Sequence, residues 1–121
     1  MSCNVAFIGL GVMGYPMAGY ISKGGHNVTV FNRTKSKAEK WVEEYKGKMA
    51  ETPAEAAKDA EYIFTCVGND NDLREVTFGD NGIFKTIKKA STLLKKNGKL
   101  ILEISHNQKT KVIKLLKFLN K

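Results

Sequence analysis

The chain has 121 residues, of which 42% are hydrophobic and 26% charged, with a formal net charge of +8. That length suits one compact domain with an ordinary core and leaves no room for two. No apolar run approaches the ~20 residues that span a bilayer, glycines break up the N-terminal apolar stretch where a secretory leader would need continuity, and Cys3 and Cys66 form neither a CxxC nor a metal-ligand spacing; a cytoplasmic protein with small, reduced, buried cysteines is expected.

The first element is an apolar run, Val5 to Ile8, that stops at a glycine. Gly9, Gly11 and Gly14 have the G-x-G-x-x-G spacing, and Met13 to Lys23 can run as a helix closed by Gly24-Gly25. Strand, glycine turn and helix in that order are the context in which the motif means a dinucleotide site. Gly9 allows the turn off the strand. Gly11 lets a pyrophosphate approach the backbone, and Gly14 lets the helix pack close to the sheet. The helix N-terminus, with unpaired N–H groups and the positive end of the dipole, favours the phosphates. Pro16 falls in or near the first turn, where a missing N–H costs little. No Lys-Ser/Thr pair follows the glycines, so the turn is not a P-loop.

Asn27 to Phe31 reads as a β-branched strand and Lys35 to Tyr45 as a helix with Trp41 and Val42 turned inward. Lys48 to Ala50 is a short edge strand. Thr52-Pro53 caps and opens a helix to Lys58. Glu61 to Val67 is the next strand, and Asp70 or Asn71 can cap a helix to about Val76. After a glycine loop, Ile83 to Leu94 is helical with a break near Ser91-Thr92, and Lys99 to Ile104 is a fifth strand. The tail, Asn107 to Asn120, is amphipathic: Val112, Leu115, Leu116 and Leu119 follow helical spacing.

Strands alternating with helices imply an α/β fold of the Rossmann type, one domain over residues 1–121, with a parallel sheet in order 3-2-1-4-5 and helices on both faces. A ligand belongs across the carboxyl ends of strands 1 and 4, where the order reverses.

The end of strand 2 discriminates between cofactors. An NAD site usually has Asp or Glu there for the ribose 2′-OH; this chain has Asn32-Arg33-Thr34 and no acid. Arg33 can stack on adenine and bind a 2′-phosphate through its planar fork, Thr34 can add a hydroxyl, and Lys37 a second positive charge. NADP is therefore expected, with NAD as the alternative. S-adenosylmethionine folds also favour an acid at this point. The loop Cys66-Val67-Gly68-Asn69 after strand 4 would let the nicotinamide ribose approach, and Ser105 holds the equivalent place after strand 5. His106 has no evident partner and reads as an exposed turn residue.

Charge is uneven along the chain. Residues 1–84 carry 9 Lys/Arg and 11 Asp/Glu, whereas residues 85–121 carry 11 Lys and one acid, Glu103. These positives are all lysines, with no Arg or aromatic residues interleaved in the manner of a single-strand binder, which favours solvated helix faces over a nucleic-acid surface.

Three stretches together resemble the β-hydroxyacid dehydrogenase family, of the 3-hydroxyisobutyrate dehydrogenase type: Phe7-Ile-Gly-Leu-Gly-Val-Met-Gly-Tyr-Pro-Met-Ala18, Val30-Phe-Asn-Arg-Thr34 and Phe64-Thr-Cys-Val-Gly-Asn-Asp70. Met13 and Pro16-Met17-Ala18 are not required by a generic Rossmann turn. The resemblance implies cofactor contacts at Gly9, Leu10, Gly11, Val12, Met13 and Gly14, at Asn32, Arg33 and Thr34, at Cys66, Val67 and Gly68, and at Ser105. It implies hydride transfer between the nicotinamide and a β-hydroxyacid or semialdehyde, with a lysine as general acid/base. The chain departs from the family after strand 5, where Glu103-Ile-Ser-His106 stands for Asp-x-Ser/Thr-Thr. The Ser-Gly-Gly-type substrate loop and the G-x-x-G-x-x-x-K lysine motif do not occur in these residues. The expectation is a cofactor-binding half that turns over nothing unaided, completed by a helical domain or partner chain; the alternative is a standalone NADP-sensing or partner-binding module without enzymatic activity.

Overall fold

The structure, a computed structural model, describes residues 2–87 and 99–102. Five strands form one parallel sheet: β1 (Asn4–Ile8), β2 (Asn27–Phe31), β3 (Lys48–Met49), β4 (Tyr62–Thr65) and β5 (Lys99–Leu102). Their order is β3-β2-β1-β4-β5, as the alternation of elements implies. The helices are α1 (Gly14–Lys23), α2 (Lys35–Tyr45), α3 (Pro53–Ala57), α4 (Asp70–Phe78) and α5 (Ile83–Ile87). No helix among the described residues is long and apolar enough to cross a membrane.

β1 lies at the centre and is apolar on both sides, the pattern of a strand covered by helices above and below. Its register pairs Val5 with Val28 of β2 and with Tyr62 of β4. Val5 and Phe7 pack with Val28, Val30, Ala18 and Trp41 on the α1–α2 face. Ala6 and Ile8 pack with Ala56, Ala57, Ile63 and Ile83 on the α3–α5 face. Trp41 is fully buried, and its indole N–H donates to the Tyr15 carbonyl at 3.2 Å, which ties α2 to the start of α1. Truncating such a residue costs about 3–5 kcal/mol. The rings of Tyr45 and Trp41 lie on Gly19 and Gly47, where a Cβ would collide with them.

Several boundaries differ from the sequence expectation. α1 begins at Gly14 rather than Met13. α4 is capped neither by Asp70 nor by Asn71: Asn69 is extended and its Oδ1 accepts from the Asp72 N–H at 2.9 Å. β4 ends at Thr65, so Cys66 and Val67 belong to the loop, although the Cys66 N–H still donates to the Ile8 carbonyl at 2.8 Å. Cys3 and Cys66 therefore stand just outside the strands and are half-buried. The expected continuation of α5 to Leu94, the end of β5 at Ile104, Ser105, His106 and the tail helix lie outside the described residues.

Candidate cofactor site

The crevice forms where β1 and β4 part at their carboxyl ends. At Ile8 the chain turns through Gly9, whose φ of +101° is unfavourable for any residue with a side chain. The Gly9 N–H continues the ladder by donating to the Phe31 carbonyl at 2.8 Å. A Cβ on Gly9 would strike the Cys66 carbonyl oxygen, and one on Gly14 would strike the Gly9 carbonyl oxygen. A Cβ on Gly11, by contrast, would meet nothing within 4 Å. The first and third glycines thus close the turn, and the second leaves backbone facing open space.

A cavity of about 680 Å³ opens from this turn. Gly9, Leu10 and Gly11 line it, with Asn32, Arg33, Thr34 and Lys37 after β2 and Cys66, Val67 and Gly68 after β4. Of the sequence-derived candidates, these ten come together. Gly14 is buried and acts through packing. Val12 and Met13 do not line the cavity; they are 96% and 59% exposed.

Asn32 organises the floor. Its Oδ1 accepts from the buried Leu10 N–H at 2.9 Å, and its Nδ2 donates to the Thr34 carbonyl at 3.0 Å. The carboxamide is committed to holding the glycine turn against the β2–α2 loop. Thr34 precedes α2, and its side chain does not cap the helix. Lys35, which does not itself line the cavity, pairs with Glu51 at 3.0 Å, a contact that raises the Lys35 pKa above its ordinary value.

The wall contributed by the β3–α3 loop and by α4 and the loop after it was not foreseen. Glu51, Asp72, Glu75, Asp80 and Asn81 line it. Asp72 is the most consequential, because Arg33 Nη1 donates to its Oδ1 at 3.0 Å. The spacing Asn69-x-x-Asp72, a cap followed by an acid in the first helical turn, is the sequence signal that could have drawn attention to it. Among the described residues no group of His, Cys, Asp and Glu could hold a metal ion.

Comparison with known proteins agrees with this geometry. Residues 4–120 match the family model described as the NAD binding domain of 6-phosphogluconate dehydrogenase. An uncharacterized oxidoreductase of Shewanella frigidimarina is 63% identical over 80 residues, which is 66% of this chain and 28% of that protein. A probable mitochondrial 3-hydroxyisobutyrate dehydrogenase of Dictyostelium discoideum is 40% identical over 93 residues, covering 77% of this chain and 29% of its own length. The chain thus spans under a third of the relatives it matches. The solved 3-hydroxyisobutyrate dehydrogenase of Mycobacterium tuberculosis superposes with a TM-score of 0.70 at 21% identity, over 97% of this chain and 37% of that one, and shares the fold. The glycine turn, the crevice at the strand-order reversal and the match over residues 4–120 lead to one conclusion: the chain belongs to the family of the NAD binding domain of 6-phosphogluconate dehydrogenase, within its 3-hydroxyisobutyrate dehydrogenase-like oxidoreductases, and is an NAD(P)-binding domain.

Proposed function

We propose that the chain is the NADP(H)-binding domain of a 3-hydroxyisobutyrate dehydrogenase-like oxidoreductase, and that alone it binds cofactor without turnover. The observation that carries the choice of NADP is the Arg33, Thr34 and Lys37 rim at the β2 end of the cavity, with no carboxylate at the end of that strand. The residues fit the cofactor. Open space at Gly11 supports close approach of a pyrophosphate to backbone N–H groups. Arg33 and Lys37 would hold a 2′-phosphate, the former through paired hydrogen bonds. The Cys66–Gly68 loop, and Ser105 by resemblance, would hold the nicotinamide ribose. When bound, the nicotinamide supplies hydride exchange with a β-hydroxyacid or semialdehyde. The part played by these residues is to bind and orient it; the lysine motif that would move the proton is not in this sequence. Cysteine usage supports a cytoplasmic setting.

Fluorescence titration of the 121-residue chain with NADPH and NADH tests the reading. Tighter binding of NADPH is expected; no binding at high micromolar concentration, or equal binding of both, overturns it.

The exposure of Val12 and Met13, with Tyr20 73% exposed on α1, favours a second reading: a binding module whose apolar face takes a helical substrate domain, in the same polypeptide or another. A monodisperse monomer that fails to associate with the remaining residues of the Shewanella relative argues against it.

A further inference from the structure

Arg33 leaves the end of β2, and Asp72 stands in the first turn of α4, the helix after β4. β2 and β4 flank β1 in the sheet, so the two residues rise on opposite sides of the glycine turn. Neighbouring strands lie about 4.8 Å apart, so a contact between them crosses two strand spacings. Arg33 Nη1 and Asp72 Oδ1 meet at 3.0 Å, and both residues line the cavity. The ion pair therefore spans the crevice above the glycines. Its two ends differ: the Arg33 side chain is 74% exposed and the Asp72 side chain 22%. The Asp72 backbone is also held in place by the Asn69 cap. The carboxylate is the more buried end and the guanidinium the more exposed one.

The geometry points to Asp72 as a specificity-determining residue: its carboxylate competes with the 2′-phosphate for the Arg33 guanidinium and so limits the preference for NADPH over NADH. This rests on the NADP(H) reading above. A phosphate that takes the guanidinium must displace the carboxylate or approach it as a like charge. A ligand without the 2′-phosphate meets neither cost in full. The other charged groups facing the cavity are Lys37, Glu51, Glu75 and Asp80. Glu51 is engaged by Lys35. Among the described residues, Asp72 is the carboxylate paired with Arg33.

The test compares the full chain with Asp72→Asn, Arg33→Ala and the double variant, each titrated with NADPH and NADH. The Asn69 bond to the residue-72 N–H survives in Asp72→Asn. Because the pair is partly exposed, NADPH is expected to tighten by about two- to fivefold, and NADH by clearly less. In the Arg33→Ala background the same substitution should leave the NADPH/NADH ratio unchanged. Weaker NADPH binding in Asp72→Asn would mean that the carboxylate positions the guanidinium, and overturns the proposal. Equal tightening of both dinucleotides, or a ratio change that persists without Arg33, also overturns it. Asp72→Ser, a second uncharged residue suited to a first helical turn, must give the same sign. A parent chain that binds neither dinucleotide overturns both readings, whereas one that prefers NADPH with a ratio unmoved by Asp72→Asn overturns only the role of Asp72.

Discussion

The two sides of the crevice are built from different materials. The β1 side is backbone: Gly9, Gly11 and Gly14, with the Cys66 carbonyl pressed against the first of them. The β2 and α4 sides are side-chain tips: Arg33, Lys37 and Asp72. Backbone geometry in contact with other backbone either fits or fails. Charged tips near water act by degrees, because solvent screens them and rotamers adjust. On the proposed reading, the first side admits a dinucleotide and the second adjusts which one.

Substitutions can separate the two. The largest effect is expected for Gly9→Ala, which combines a positive φ with a collision against the Cys66 carbonyl. A loss of about 3 kcal/mol or more in chemical denaturation is expected. Gly11→Ala sharpens the contrast within the same turn. Its Cβ meets nothing, so stability should hold within about 0.5 kcal/mol, while dinucleotide affinity falls about tenfold or more by titration. Asn32→Ala removes the acceptor of the buried Leu10 N–H and the donor to the Thr34 carbonyl; a cost of about 1–2 kcal/mol is expected in the same denaturation experiment. The smallest and most selective change is Arg33→Ala. It should weaken NADPH about tenfold, NADH much less, and leave the unfolding midpoint nearly unmoved. Equal loss for both dinucleotides would remove the phosphate role.

The difference between the sides also explains what could be read from the sequence. The strand order, the two-faced burial of β1 and the roles of Gly9 and Gly14 follow from local signals: an apolar run, a glycine spacing and a helix behind it. Arg33, Thr34 and Lys37 follow because the end of β2 has a known position relative to the turn. Asp72 does not follow. Its partner is 39 positions away, and no periodicity announces that the two meet over β1. Asn32 is a milder case. Its position was evident, but its two hydrogen bonds, which hold the turn, depend on where the Leu10 N–H points. Val12 and Met13, implied with the motif as a block, are exposed and do not line the cavity. The cap of α4 shifted by one residue because several polar side chains compete at that end, and only the tertiary path decides which one is extended.

Glycines in this molecule are also of two kinds with respect to repair. At Gly19 and Gly47 an added methyl would run into the Tyr45 and Trp41 rings. At Gly19 the nearest obstacles are atoms of the Tyr45 ring, and a smaller residue at position 45 could make room; at Gly47 the Val28 carbonyl oxygen stands 2.8 Å from the added methyl as well, so a smaller residue at position 41 would not clear it. At Gly9 and Gly14 the obstacles are the carbonyl oxygens of Cys66 and Gly9, which every amino acid carries. No second-site exchange at the contacted residue removes them. A suppressor screen should therefore recover compensating changes at position 45 for a lesion at Gly19 and none at the contacted positions for Gly9 or Gly14, so the turn beneath the crevice can be inherited or lost but not renegotiated.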